Sequence, residues 1–289
     1  MVDACASGYQ CAPWLCRNKC MAATVCLMNI TKTVKDDIFE IVKLFIQTNV
    51  SKRSAPADWR YREAAITAFG CIVEGPDSNK LLPFANEAFG FLLNQGLQDE
   101  HMMVRRTTLW TLGRIFEFLH SPSITPPLVT AVNINQIVDA LMQAMQATHG
   151  MAQKACYSVQ ALAEGFSPAD ESHALTPWFT GIIEALFKVA YAEVSVEYAA
   201  TLHVTAFEAM HTVIQNSAAE SIEFVTKMIP HLLQRINETL GAIDTTTISE
   251  DAAKAISQRR LELQGQLCTA MQVCRQAGPH QQGCMEHVL

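Results

Sequence analysis

Apolar residues recur at helical spacing along almost the entire chain. Between Met102 and His120, residues Val104, Thr108, Leu112, Ile115 and Leu119 fall within one face at 100° per residue, which predicts an amphipathic helix packed on that side. Ala152, Ala155, Val159, Leu162 and Phe166 form a second stripe of the same kind. Runs of alternating apolar and polar residues rich in β-branched side chains are absent, so the chain is expected to be all-α. The periodicity breaks at Ser51 to Pro56, Gly75 to Ser78, Ser121 to Pro127, Ser167 to Thr176 and Gly241 to Ser249, each rich in Gly, Pro, Ser, Thr or Asp.

Between those breaks the helices come in pairs. First members are predicted to begin near Asp36, Asn79, Asn133, Thr176 and Ala218, and second members near Asp58, Asp99, His149, Ser195 and Glu250. The interval of roughly 40 to 55 residues is that of HEAT and armadillo repeats and exceeds that of tetratricopeptide or ankyrin units. A preceding helix from Trp14 to Thr33 reads as the second half of an incomplete repeat. The expected architecture is a right-handed α-solenoid of antiparallel helix pairs over residues 14–276, about five repeats plus a leading helix. An irregular segment is expected over 1–13 and a disordered tail over 277–289. Asp99 stands at a turn between the two helices of one pair, where its carboxylate is expected to cap the second helix.

The polar faces of the second helices carry a further regularity. Glu74, Glu117, Glu164 and Glu208 occupy the same place in four successive units, and Trp110 and Tyr157 precede two of them by two helical turns. On the helical wheel Trp110 points almost opposite the apolar stripe, alongside Arg106, Gly113 and Glu117, and Tyr157 and Glu164 repeat the arrangement. Any one of these residues has an ordinary explanation as a solvated acid or an isolated surface aromatic. Four acids in register favour a ladder. Second helices line the inner wall of a stacked solenoid at axis spacings of about 8 to 10 Å. A bound helix advances about 10.8 Å in two turns, so a basic helix in the groove could offer Lys or Arg to each rung. Its aliphatic stems would rest on Trp110 and Tyr157, with cation–π contact adding about 0.5 to 2 kcal/mol where desolvated.

Composition narrows the field. With 49% hydrophobic and 17% charged residues, the 289-residue chain can bury a large core and is not of disordered composition. A net charge of −7 argues against nucleic acid and favours basic peptides or proteins as partners. The apolar runs are too short for a bilayer, and the first residues lack a signal-peptide pattern, so no membrane partner is expected and the compartment is read as cytoplasmic and nuclear. The ten cysteines are dispersed, with Cys26, Cys71, Cys156 and Cys268 inside apolar helical patterns, which reads as reduced core thiols. Cys5, Cys11, Cys16 and Cys20 lack the paired spacing of a zinc knuckle, and no metal, cofactor or catalytic constellation is expected.

Several collinear segments resemble one family. Asp58-Trp-Arg-Tyr-Arg-Glu-Ala-Ala, Ala68-Phe-Gly-Cys-Ile-Val-Glu-Gly-Pro76, Thr108-Leu-Trp-Thr-Leu-Gly-Arg-Ile115 and Leu162-Ala-Glu164 resemble the central repeats of importin-β, the karyopherin nuclear import receptor. So do Cys20-Met-Ala-Ala-Thr-Val-Cys-Leu-Met28 and Val213-Ile-Gln-Asn-Ser-Ala218. The resemblance covers about Trp14 to Gln276 and implies a middle segment of the receptor, whose concave face binds the arginine-rich helix of the adaptor importin-α or other basic import signals. It places Trp110 and Tyr157 at positions where the family has cargo-contacting tryptophans, the second reduced here to tyrosine. It also implies Ran GTPase and nucleoporins as partners and the nuclear pore as a location. Those expectations are weakened because the first repeats and the C-terminal half of the family pattern are missing. The family's acidic loop before the position of Trp14 is replaced by Asp3-Ala-Cys-Ala-Ser-Gly-Tyr-Gln-Cys11, which weakens loop-dependent release by Ran. A HEAT scaffold or adaptor subunit with an unrelated partner is the competing reading, and an enzyme the third.

Overall fold

A computed structural model describes residues 13–166, 173–192, 196–240 and 250–277. Every regular element among them is helical: α1 (Pro13–Val34), α2 (Phe39–Asn49), α3 (Trp59–Ile72), α4 (Ser78–Phe91), α5 (Met102–Leu119), α6 (Ile134–Met145), α7 (His149–Glu164), α8 (Phe179–Ala190), α9 (Val196–Gln215), α10 (Ile222–Thr239) and α11 (Glu250–Ala277). They form two compact units, Met1–Ala144 and Met145–Leu289. The predicted termini, the Gly241 to Ser249 break, most of the Ser167 to Thr176 break, and Cys5 and Cys11 lie outside the described residues.

In the first unit α1, α3 and α5 lie side by side, while α2 packs on α3 and α4 on α5. α3 is therefore covered on more than one side, and it buries Arg62, Ala65, Phe69 and Ile72 at spacings of three, four and three, with Ile66 beside them. The layers are joined by aromatic edges: Phe84 of α4 meets Phe69 at 5.3 Å and Phe39 at 5.9 Å, and Phe89 meets Phe116 at 6.0 Å. The Thr111 hydroxyl donates to the carbonyl of Ile66 at 3.0 Å and ties α5 to α3.

Asp99 has a different task from the one expected. The cap of α5 is His101, whose Nδ1 accepts from the Met103 amide at 3.3 Å. Asp99 accepts from the His101 amide at 2.9 Å and receives Nε and Nη2 of Arg62 at 2.8 and 2.9 Å. Arg62 is only 2% exposed, and its remaining nitrogen Nη1 donates to the carbonyl of Lys52 at 2.8 Å. The carboxylate thus turns inward toward a cation that α3 buries, because an unpaired guanidinium there would be costlier than a missing cap bond. Burial opposes ionisation of Asp99, yet the bonds from Arg62 and the His101 amide prevail and hold its pKa below the usual carboxylate range.

In the second unit α7, α9 and α11 lie side by side, with α8 on α9 and α10 on α11. Ala155, Cys156, Val159 and Leu162 of α7 and Ala206, Phe207, Met210 and Ile214 of α9 are buried between them, together with Leu267, Ala270 and Cys274 of α11. His173 fastens the start of α8 by donating from Nε2 to the Asn216 carbonyl at 2.9 Å, while its Nδ1 accepts from the Leu175 amide, and by stacking on Phe166 at 4.7 Å.

The cysteines divide. Cys71 and Cys156 are buried, and desolvation pushes both thiols up to about 12, so they remain protonated at neutral pH. Cys26 and Cys268, expected in the core, are exposed. The apolar residues around them lie on α1 and α11, each of which meets a second helix on one side in its unit, so one face of the pattern is left outside the core.

Candidate functional site

Trp110 is half-buried, where the helical wheel had set it wholly on an exposed polar face. Its indole lies along the seam between α5 and α3. A Cβ placed on Gly70 would come within 2.5 Å of the indole Cζ3 and 3.1 Å of Cε3, so only glycine gives the ring its seat. A single apolar stripe marks the direction of the partner in the same repeat. It misses the sideways contact between successive second helices.

The acids of the first unit stand in a neutralised cluster. Glu74 follows α3, and its Oε1 is 2.8 Å from the ammonium of Lys32 on α1. Its Oε2 accepts from Nη2 of Arg114 on α5 at 2.8 Å, and Nη1 of the same arginine reaches Glu117 Oε2 at 3.2 Å. Arg114 is buried; its Nε donates to the Gly70 carbonyl at 3.4 Å and its guanidinium lies 4.4 Å from the centre of the Phe118 ring. Burial works against the charge on Glu74, but Lys32 and then Arg114 outweigh it and hold the carboxyl below its ordinary pKa. The charges of Lys32 and Arg114 there offset those of Glu74 and Glu117.

Sequence reasoning overlooked both cations. Arg114 stands three residues before Glu117, a recognised helix-surface pairing, and could have been found by that spacing. Lys32 had no such signal. It is brought in because Gly75 lies against the end of α1: a Cβ at Gly75 would sit 2.3 to 2.8 Å from the side chain and backbone of Thr31.

In the second unit Tyr157 is half-buried on α7, and Glu164, the last residue of that helix, is exposed. Glu164 accepts from Gln160 Nε2 one turn earlier at 3.3 Å. Glu208 is exposed on α9. Among the described residues neither glutamate has an ion-pair partner, in contrast to Glu74 and Glu117. Each aromatic–acid pair, Trp110 with Glu117 and Tyr157 with Glu164, spans about 10 Å along its helix. The structure therefore gathers Glu74, Glu117 and Trp110 around α3 and α5 of the first unit, and keeps Tyr157, Glu164 and Glu208 on α7 and α9 of the second. Among the described residues no group of three or more His, Cys, Asp and Glu could hold a metal ion, and no helix is long and apolar enough to cross a membrane.

Paired helices whose second members stack side by side define the class as a HEAT-repeat α-solenoid, and residues 59–115 match the family described as HEAT-like repeat. The chain belongs to the importin subunit beta-1-like family, whose profile, described as "Importin subunit beta-1-like, TPR repeats", matches residues 136–285. The importin-β resemblance of the sequence is thereby borne out. Importin subunit beta-1 of Arabidopsis thaliana is 38% identical over 256 residues, which is 89% of this chain and 28% of that protein. A crystal structure of importin beta in an ammonium sulfate condition superposes with a TM-score of 0.76 at 27% identity, covering 89% of this chain and 28% of that one. The Kap95:Nup1 complex contains the same fold, with a TM-score of 0.70 at 22% identity and coverage of 90% and 28%. The chain thus spans little more than a quarter of the length of these relatives.

Proposed function

We propose that this chain is a segment of a nuclear import receptor, acting in cytoplasm and nucleus as a non-enzymatic module that holds a basic helix. The ligand class is the arginine-rich importin-β-binding helix of an importin-α adaptor, or another basic import signal. Family membership supports the receptor role, and one structural observation carries the binding mode: in each unit an aromatic ring and an exposed glutamate stand two turns apart on one second helix, Trp110 with Glu117 and Tyr157 with Glu164. A half-buried ring and a carboxylate at that distance suit a Lys or Arg stem and its charged head. Ran and nucleoporins are partners we assign to the longer receptor. For nucleoporins, the Kap95:Nup1 complex on the same fold lends support.

The rungs differ in how their charge is met. In the first unit an incoming cation meets a cluster that already contains two, whereas Glu164 and Glu208 have no ion-pair partner among the described residues. The test is a titration of the folded chain with a synthetic importin-α N-terminal basic peptide at low and physiological salt. Binding should weaken steeply with salt and drop by at least tenfold in a Trp110→Ala, Glu117→Ala variant. A folded sample that binds no basic peptide at low salt would leave a HEAT scaffold with an unrelated partner as the better reading.

A further inference from the structure

Lys32 and Arg114 both pair with Glu74, but they are held very differently. Arg114 is buried, and its partners include both glutamates, the Gly70 carbonyl and the Phe118 ring. The side chain of Lys32 is 49% exposed, and among the described residues its polar partner is Glu74. A hydrated ammonium on a flexible stem, held by one half-exposed ion pair, is a weak attachment. The two oxygens of Glu74 are also divided, Oε1 facing Lys32 and Oε2 facing Arg114. Losing the first contact therefore leaves the second intact.

We propose that Lys32 is a built-in competitor for the basic partner: its ammonium occupies Glu74 Oε1, and a cationic side chain of the bound helix takes that oxygen by displacing it. The inference rests on the basic-helix reading above. With Lys32 in place the cluster of Lys32, Arg114, Glu74 and Glu117 is neutral, so it attracts passing cations little. When Lys32 swings out into water, one negative charge is left for the incoming group. The exchange replaces one ion pair by another, so its net effect on affinity is small, and it favours a ligand whose cation is held in position by the rest of its helix over a freely mobile one.

The basic peptide used above tests this at low salt, by calorimetric titration of the folded chain and its variants. Lys32→Ala should bind about three- to fivefold more tightly than the unaltered chain, the scale of one partly exposed ion pair. Lys227→Ala removes an equally charged residue, one paired with Glu223 on α10, and should change affinity less than twofold. In a Glu74→Gln background the gain from Lys32→Ala should vanish. Lys32→Gln serves as a second variant that keeps the polar stem. Equal binding by Lys32→Ala and the unaltered chain overturns the competitor role and leaves the basic-helix reading standing, as does a gain that persists without Glu74. Binding by neither overturns both.

Discussion

Arg62 and Asp99 form a two-point ion pair at 2.8 and 2.9 Å that ties the first turn of α3 to the connection between α4 and α5. Both side chains are almost fully buried, so neither can find water if the other is removed.

Asp99→Asn should therefore destabilise the chain by about 3 kcal/mol, because it leaves the buried guanidinium with only the longer 3.4 Å contact to the exposed Glu100 as a carboxylate partner. Urea unfolding measures the loss, and a paired Arg62→Met, Asp99→Leu replacement should recover most of it. The sign with pH follows from the depressed carboxyl pKa. The contribution of Asp99 is complete above the unfolded value of about 3.9 and is lost as pH falls through the lower folded value. In acid below about pH 4 the stability of the unaltered chain should fall more steeply than that of Asp99→Asn.

Gly70→Ala is a small change with a large expected effect, since the added methyl overlaps the Trp110 ring. The indole must leave its seat, at a cost of about 1 to 3 kcal/mol in stability. Basic-peptide affinity should fall with it. Combining Gly70→Ala with Trp110→Ala should relieve part of the strain in thermal or urea unfolding without restoring peptide binding.

Tyr157 tests the aromatic half of the clamp in the opposite direction. Tyr157→Trp enlarges the ring face and should tighten the basic peptide about two- to fivefold, within the range of a cation–π contact. Tyr157→Ala should weaken it. Isothermal titration of the three proteins gives the order, and an unchanged affinity across them would remove Tyr157 from the binding surface.

His211 predicts a second pH dependence, nearer neutrality. Burial lowers its pKa, partly offset by a hydrogen bond with the Gln266 backbone, and among the described residues its Nε2 has no hydrogen-bond partner. A base with a depressed folded pKa keeps its full contribution above the unfolded value of about 6.5 and loses it as pH falls toward the folded one. Melting temperature should decline between pH 7.5 and 5.5. His211→Phe, which suits the ring of Phe207 beside it, should make that decline shallower.

Much of the fold was legible because helical periodicity is a local property. The stripe Val104, Leu112, Ile115 and Leu119 is buried as its spacing predicts, and Thr108 with it. The wheel was less informative about Trp110, because α5 touches α3 as well as α4, and two contact directions cannot be read from one stripe. The same limit misplaced Cys26 and Cys268, whose apolar surroundings belong to helices with a neighbouring second helix on one side within their unit. Asp99 looked like a cap because its position before a helix is a local cue. Its real partner, Arg62, belongs to the previous repeat.

By itself the chain's order of apolar, polar and breaking residues determined the helices, their pairing and the repeat class, since these depend on spacing within some tens of residues, while its collinear motifs carried the family resemblance. Which charges face one another was decided only by the stacking of the repeats. Lys32, Glu74 and Arg114 lie on three successive second helices or at their ends, and they meet because Gly70 and Gly75 let those helices approach. Coulomb interaction acts through space, and no local spacing rule reports the neighbours that a distant glycine admits.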